Sequence, residues 1–196
     1  NLIFEEFSVL PDNKTFTDIS GVLFSKDEKT LVKYPEGIGY STYYVPESVV
    51  TVAPSAFSSC ENLEEIIFRC KIADILDNAF SNCTGLKSIT VPITLKSIGK
   101  NAFISCSAFN DIYYCGSEET WSDIEILSPN TKMQLVTVHY GSYLCENGHT
   151  PGGWKIETSA NGDNAKVKRC VFCGKLLESE PIPHSPAKRG DANNDS

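Results

Sequence analysis

The chain has 196 residues, 41% of them hydrophobic and 21% charged, so it can bury a core and is not globally disordered. Its formal net charge of −8 repels phosphate backbones and anionic lipid surfaces, which argues against nucleic acid or a membrane surface as partner. No apolar run approaches the roughly 20 residues of a membrane-spanning helix, so no membrane insertion is expected in this span.

The opening residues Phe4-Glu5-Glu6-Phe7-Ser8-Val9 match Leu63-Glu64-Glu65-Ile66-Ile67-Phe68, so a truncated copy of a repeat is expected there, as in a piece of something longer. Next, Gly21-Val22-Leu23-Phe24-Ser25 and Thr30-Leu31-Val32-Lys33-Tyr34 flank a charged tetrapeptide, which predicts a β-hairpin inserted between repeats.

From Val49 onward the chain repeats every 23 residues. Val49, Ile72 and Leu95 align, as do Val52, Ile75 and Ile98, and the Ala-Phe pairs ending in Phe57, Phe80 and Phe103. Cys60, Cys83 and Cys106 follow, then Leu63, Leu86 and Phe109, then Ile66, Ile89 and Ile112, then Phe68, Val91 and Tyr114. Leu86, Ile89 and Val91 end in the alternation of a short strand, while Ala79, Phe80, Cys83 and Leu86 are spaced like one face of a helical turn. One such unit cannot bury its apolar face, and stacked neighbours can. The period falls within that of leucine-rich repeats. The expected fold is therefore an α+β repeat, a leucine-rich-repeat solenoid built from a short strand and a helical turn per unit. The repeated cysteine is read as a packing column rather than a redox or metal ladder. After Tyr114 the register fades through Trp121, Ile124 and Ile126 into a capping strand near Gln134 to Tyr140.

Strand positions between the apolar columns should face outward on the concave side of such a solenoid. They are Glu65, Ile67 and Arg69, then Ser88 and Thr90, then Asp111 and Tyr113. Tyr113 and Ile67 are the expected contact anchors, because aromatic and apolar groups dominate interface energetics.

At Gly141 the repeat stops. Cys145 and His149 precede Cys170-Val-Phe-Cys173, a tight knuckle followed by Gly174. Two thiolates from the knuckle, with Cys145 and His149, would complete a tetrahedral structural zinc site; a disulfide between two of the three thiols is the alternative. The Asn161-Gly162 step favours a hairpin turn between them. A Pro-rich linker follows and ends in Asp191, Asn193 and Asp195, the first three ligand positions of a calcium loop, with Ser196 where such loops want glycine. The implied organisation is a repeat domain over 1–140, a small β-rich Cys/His module over 141–183, and a linker with a truncated loop over 184–196.

Three stretches, "VPESVVTVAPSAFSSCENLEEI", "VPITLKSIGKNAFISCSAFNDIYYCGSEETW" and "GVLFSKDEKTLVKYP", resemble the BspA-type leucine-rich repeats of bacterial surface proteins. That resemblance covers residues 1–140 and implies a secreted or cell-surface location, and adhesion or binding to a host or bacterial surface protein. Gly190-Asp191 and the acids after it are similar to the opening of a dockerin, the module that plugs into cohesins; calcium would be expected only with the full module. Catalysis is not expected. The three histidines, His139, His149 and His184, fall in a strand, the Cys/His cluster and the linker, and no phosphate loop or nucleophile elbow appears. A passive spacer beside a catalytic domain of a longer, cellulosome-type protein is the alternative reading.

Overall fold

The computed structural model describes residues 4–68, 71–141, 155–158, 164–169 and 176–181. Its elements begin with β1 (Phe16–Ile19), β2 (Val22–Ser25), β3 (Thr30–Lys33), β4 (Thr42–Val45), β5 (Thr51–Val52) and β6 (Glu65–Phe68). Next come β7 (Asp74–Ile75), β8 (Ser88–Val91), β9 (Ser97–Ile98), β10 (Asp111–Tyr114), a helix α1 (Glu118–Trp121), β11 (Glu125–Ile126) and a 3-10 turn over Thr131–Gln134. Strand β12 (Thr137–Tyr140) closes this part, and β13 (Lys155–Thr158), β14 (Asn164–Arg169) and β15 (Leu176–Pro181) form a separate antiparallel three-stranded sheet.

Each 23-residue unit is one coil that contributes a rung to two parallel sheets. The four-residue strands build a five-stranded sheet in the order β12-β10-β8-β6-β4. The two-residue strands extend a seven-stranded sheet in the order β1-β2-β3-β5-β7-β9-β11. Register follows the repeat: Ile66 pairs with Ile89, Ile89 with Ile112, and Val52 with Ile75. A one-residue slip would turn every buried side chain to the other face, so the apolar columns pin the pairing.

The interior is a set of vertical columns. Phe57, Phe80 and Phe103 are fully buried and stack one above another, with ring centroids 5.1 and 4.9 Å apart. Tyr34 continues this spine one coil earlier, 5.3 Å from Phe57, and Phe109 closes it against Phe103 at 4.3 Å. Each ring is dry because its neighbours cover both faces, and every large buried side chain of this kind contributes on the order of 2–3 kcal/mol of transfer free energy.

The return segments are turns rather than the helical turns expected, so the fold is an all-strand solenoid with one short helix among the described residues. Alternate backbone amides do different jobs. Ala56, Ser58 and Cys60 donate three residues back, to Ala53, Ser55 and Phe57, whereas Ser55, Phe57 and Ser59 donate into the next coil, to Asp77, Ala79 and Ser81. This weave needs left-handed backbone twice per coil. The positions carry Ser or Asn: Ser55, Asn78 and Asn101 with φ of 53–57°, and Ser59, Asn82 and Ser105 with φ of 60–62°. A helix cannot contain such residues, which is why the three-to-four spacing did not make one. Coils also approach so closely that a Cβ on Gly85 would run into the carbonyl oxygen of Glu61.

The hairpin is present but not as an insertion. Strands β1, β2 and β3 form an antiparallel meander, and β3 pairs in parallel with β5, so the meander caps the seven-stranded sheet. Residues 4–9 form no strand; they follow the meander through single bonds, such as the Phe7 amide to the Gly21 carbonyl at 2.8 Å. At the other end β12 pairs with β10 as the expected closing strand. Asn130 replaces a missing coil there: its Oδ1 accepts the Ala102 amide at 3.0 Å and its Nδ2 donates to the carbonyls of Gly99 and Leu127.

Candidate partner-binding face

The five-stranded sheet turns one side to the core, and strand alternation puts two columns on the other side. One column reads Thr42, Glu65, Ser88, Asp111 and Thr137; the other reads Tyr44, Ile67, Thr90, Tyr113 and His139. The structure therefore brings Glu65, Ile67, Ser88, Thr90, Asp111 and Tyr113 onto one ladder. Arg69 lies outside the described residues, as do Cys145, His149, Cys170, Cys173, Asp191, Asn193 and Asp195. Among the described residues no cluster of His, Cys, Asp and Glu could hold a metal ion.

The ladder is not uniformly open. Ile67 is only 7% exposed and Thr90 is fully buried, so neither offers the solvent-facing contact expected of it. Thr90 is the smallest side chain of its column and lies between two larger ones, Ile67 and Tyr113, on adjacent rungs. Its hydroxyl finds no hydrogen-bond partner. Glu65, Ser88, Asp111 and Tyr113 are half-buried, while Tyr44 is 51% exposed.

The C-terminal end of this face carries a group that the sequence columns did not reveal. His139 on the edge strand β12 stacks on Tyr113 with centroids 4.7 Å apart, and its Nε2 lies 2.7 Å from Asp111 Oδ1. An imidazole, a phenol ring and a carboxylate thus form one exposed cluster able to accept and donate hydrogen bonds beside an aromatic surface. The 26-residue step from Tyr113 to His139 breaks the period and hides the pairing. Subtracting 23 from Phe57 and Ile66 lands on Tyr34 and Tyr43, the signal that would have found the missed coil at β4.

The repeated cysteines do not belong to this face. Cys83 and Cys106 donate their thiols to the carbonyls of Phe57 and Phe80, each at 2.9 Å, and so tie one coil to the previous one. Beside Cys83 the neighbouring Cys106 thiol acts downward, but the Cys60 thiol on the other side and burial outweigh it and leave the group pushed up to about 12. Cys106 is raised as well, by the neighbouring Cys83 thiol and by burial. Both are protonated packing groups rather than nucleophiles.

Stacked parallel coils with a repeating interior and a non-repeating sheet face define a leucine-rich-repeat solenoid. A family model described as the BspA type leucine rich repeat region, in six copies, matches residues 33–133. This chain belongs to that family. A solved structure shares the fold: a leucine-rich repeat protein from Eubacterium ventriosum is 23% identical with a TM-score of 0.55, over 70% of this chain and 42% of that one. A leucine rich cell surface protein from Faecalibacterium prausnitzii is 24% identical with a TM-score of 0.32, over 61% of this chain and 44% of that one. The pneumococcal vaccine antigen PcpA is 17% identical with a TM-score of 0.42, over 70% of this chain and 50% of that one. The chain thus spans about half or less of the length of these three. No curated protein matches it.

Proposed function

We propose that this chain is an extracellular recognition module that binds a protein partner on the outer face of the five-stranded sheet, with Asp111, Tyr113 and His139 at the centre of contact. The observation that carries this reading is the contrast between columns. Inward positions stay apolar or aromatic from coil to coil, as in Ile66, Ile89 and Ile112 or Phe68, Val91 and Tyr114, whereas the outward column switches between aromatic, aliphatic and polar side chains from Tyr44 to His139. A surface held only by packing has no need of such variety, while recognition does. The BspA-type family supports a bacterial surface location, and no helix among the described residues is long and apolar enough to cross a membrane. Binding rather than catalysis also fits a chain whose described cysteines are buried and whose described histidine is tied to an aspartate.

The test is retention of host or bacterial surface proteins on the immobilised chain. His139→Asp combined with Tyr113→Asp should abolish retention, while Lys100→Glu, an exposed change elsewhere, should leave it intact. The reverse pattern would move the interface off this face.

Two further assignments rest on sequence spacing. Cys145, His149, Cys170 and Cys173 hold a structural zinc ion, so purified protein should carry close to one zinc per chain; metal-free protein with a disulfide there contradicts this. Asp191, Asn193 and Asp195 stand at the first three ligand positions of a calcium loop, which favours a second reading as an accessory module of a dockerin-bearing protein. A cohesin that binds the longer chain in calcium would support that reading, and one that ignores it would remove it.

A further inference from the structure

The turn ribbon along the solenoid ends before its hydrogen-bonding pattern does. In the inner coils the second left-handed residue always sends its amide into the next coil: Ser59 donates to the Ser81 carbonyl at 2.8 Å and Asn82 to the Ile104 carbonyl at 2.9 Å. Ser105 holds the same place in the last coil with φ 61°, and none of the described residues accepts its amide. The terminal cap replaces the absent coil only part way. The Pro129 carbonyl takes the Asn101 amide and Asn130 Oδ1 takes that of Ala102. The chain then turns into the 3-10 segment and leaves an open hollow against the ribbon, lined by Ile104 to Ser107 on one side and by Thr131, Lys132 and Leu135 on the other.

The chemistry of this hollow is one-sided. By the symmetry of the repeat, the Ser105 amide points along the stack to where an acceptor belongs. Lys132 adds an ammonium group, 3.4 Å from the Ser107 carbonyl, and no carboxylate lines the hollow. Ser107 and Thr131 add neutral hydroxyl groups, and the two aliphatic walls are open, with Ile104 45% and Leu135 76% exposed. Inner coils carry serine where Ile104 stands, at Ser58 and Ser81, so the apolar wall is particular to this end. An amide and an ammonium select a negatively charged oxygen acceptor, and the two aliphatic side chains select what is attached to it.

We propose that this hollow is a binding site for an aliphatic carboxylate, either a peptide's C-terminal leucine-like residue or a free branched-chain acid. The carboxylate takes the Ser105 amide and the Lys132 ammonium, and its side chain lies between Ile104 and Leu135. This site is distinct from the sheet face proposed for the protein partner and does not depend on it.

Titration of the whole chain, followed through the Ser105 amide resonance, tests it with four probes: N-acetyl-leucine, N-acetyl-leucinamide, isovalerate and acetate. N-acetyl-leucine should give a saturable shift, N-acetyl-leucinamide none, and acetate a far weaker one. Lys132→Gln, with an unchanged thermal midpoint, should weaken binding about tenfold, and Ile104→Ser should erase the preference over acetate. Tighter binding of N-acetyl-leucine than of isovalerate identifies a peptide terminus, and equal binding a small free acid; both sustain the site. No saturable shift, or the same shift with the amide, overturns it.

Discussion

The four-residue strands of the solenoid present two faces that follow opposite rules. Turned inward, Ile66, Ile89 and Ile112 are the same residue on successive rungs, the column of Val45, Phe68, Val91 and Tyr114 varies in size but stays buried and apolar or aromatic, and the phenylalanine spine behind them is uniform. Turned outward, the corresponding ladder reads Tyr44, Ile67, Thr90, Tyr113 and His139, with no two neighbours alike. Uniformity inside is what lets identical coils stack, because a side chain that packs on its own copy above packs equally well on the one below. The outward face is released from that constraint, and its chemistry can differ at every rung. Stability therefore resides in the period, and the recognition proposed for this face would reside in the departures from it.

The sharpest way to break this contrast is to delete one ring of the spine. Phe80→Ala removes a fully buried side chain stacked on both sides and should cost about 3–5 kcal/mol in denaturant unfolding. A near-neutral result would mean the column is not the core. Next in size is the ribbon. Asn82 sits at φ 60°, so Asn82→Val should cost about 1–2 kcal/mol while Asn82→Gly stays close to neutral. Equal effects of the two would argue against the left-handed weave.

A smaller effect of opposite sign is expected where the interior departs from its own rule. Tyr34 occupies a phenylalanine place, and its buried hydroxyl has no partner. Burial also raises the pKa of that phenol. Tyr34→Phe should therefore stabilise the protein by about 1 kcal/mol, read as a higher midpoint in urea. A further effect is confined to alkaline pH. The column environment pushes the folded Cys83 thiol up to about 12 from its ordinary 9.0, so the stability it contributes is whole below pH 9 and is lost as pH rises from there toward 12. Cys83→Ala should show a shallower alkaline decline than the native chain.

Period, strand positions and the aromatic spine were legible in the sequence because each is a column of like residues at fixed spacing. What escaped has the same explanation in reverse. The coil at β4 uses Tyr34 and Tyr43 where later coils use phenylalanine and isoleucine, and its shorter approach through β3 blurs the register. Apolar spacing of three to four residues suits a helix and the ribbon alike, and only the Ser and Asn positions tell them apart. Burial of Ile67 and Thr90 could not be read from alternation, which assigns a face but not what lies over it. The His139 cluster depends on an aperiodic closing strand, and the Asn130 cap on a single side chain, so neither leaves a pattern.

Nuclear Overhauser contacts between aromatic rings in solution test the stacked spine most directly. Sequential contacts are expected from Tyr34 to Phe57, Phe57 to Phe80 and Phe80 to Phe103, whose ring centres are 5.3, 5.1 and 4.9 Å apart. Rings that contact other partners, or that show solvent-exposed dynamics in the folded chain, would contradict a shared column and with it the division between a periodic core and an aperiodic binding face.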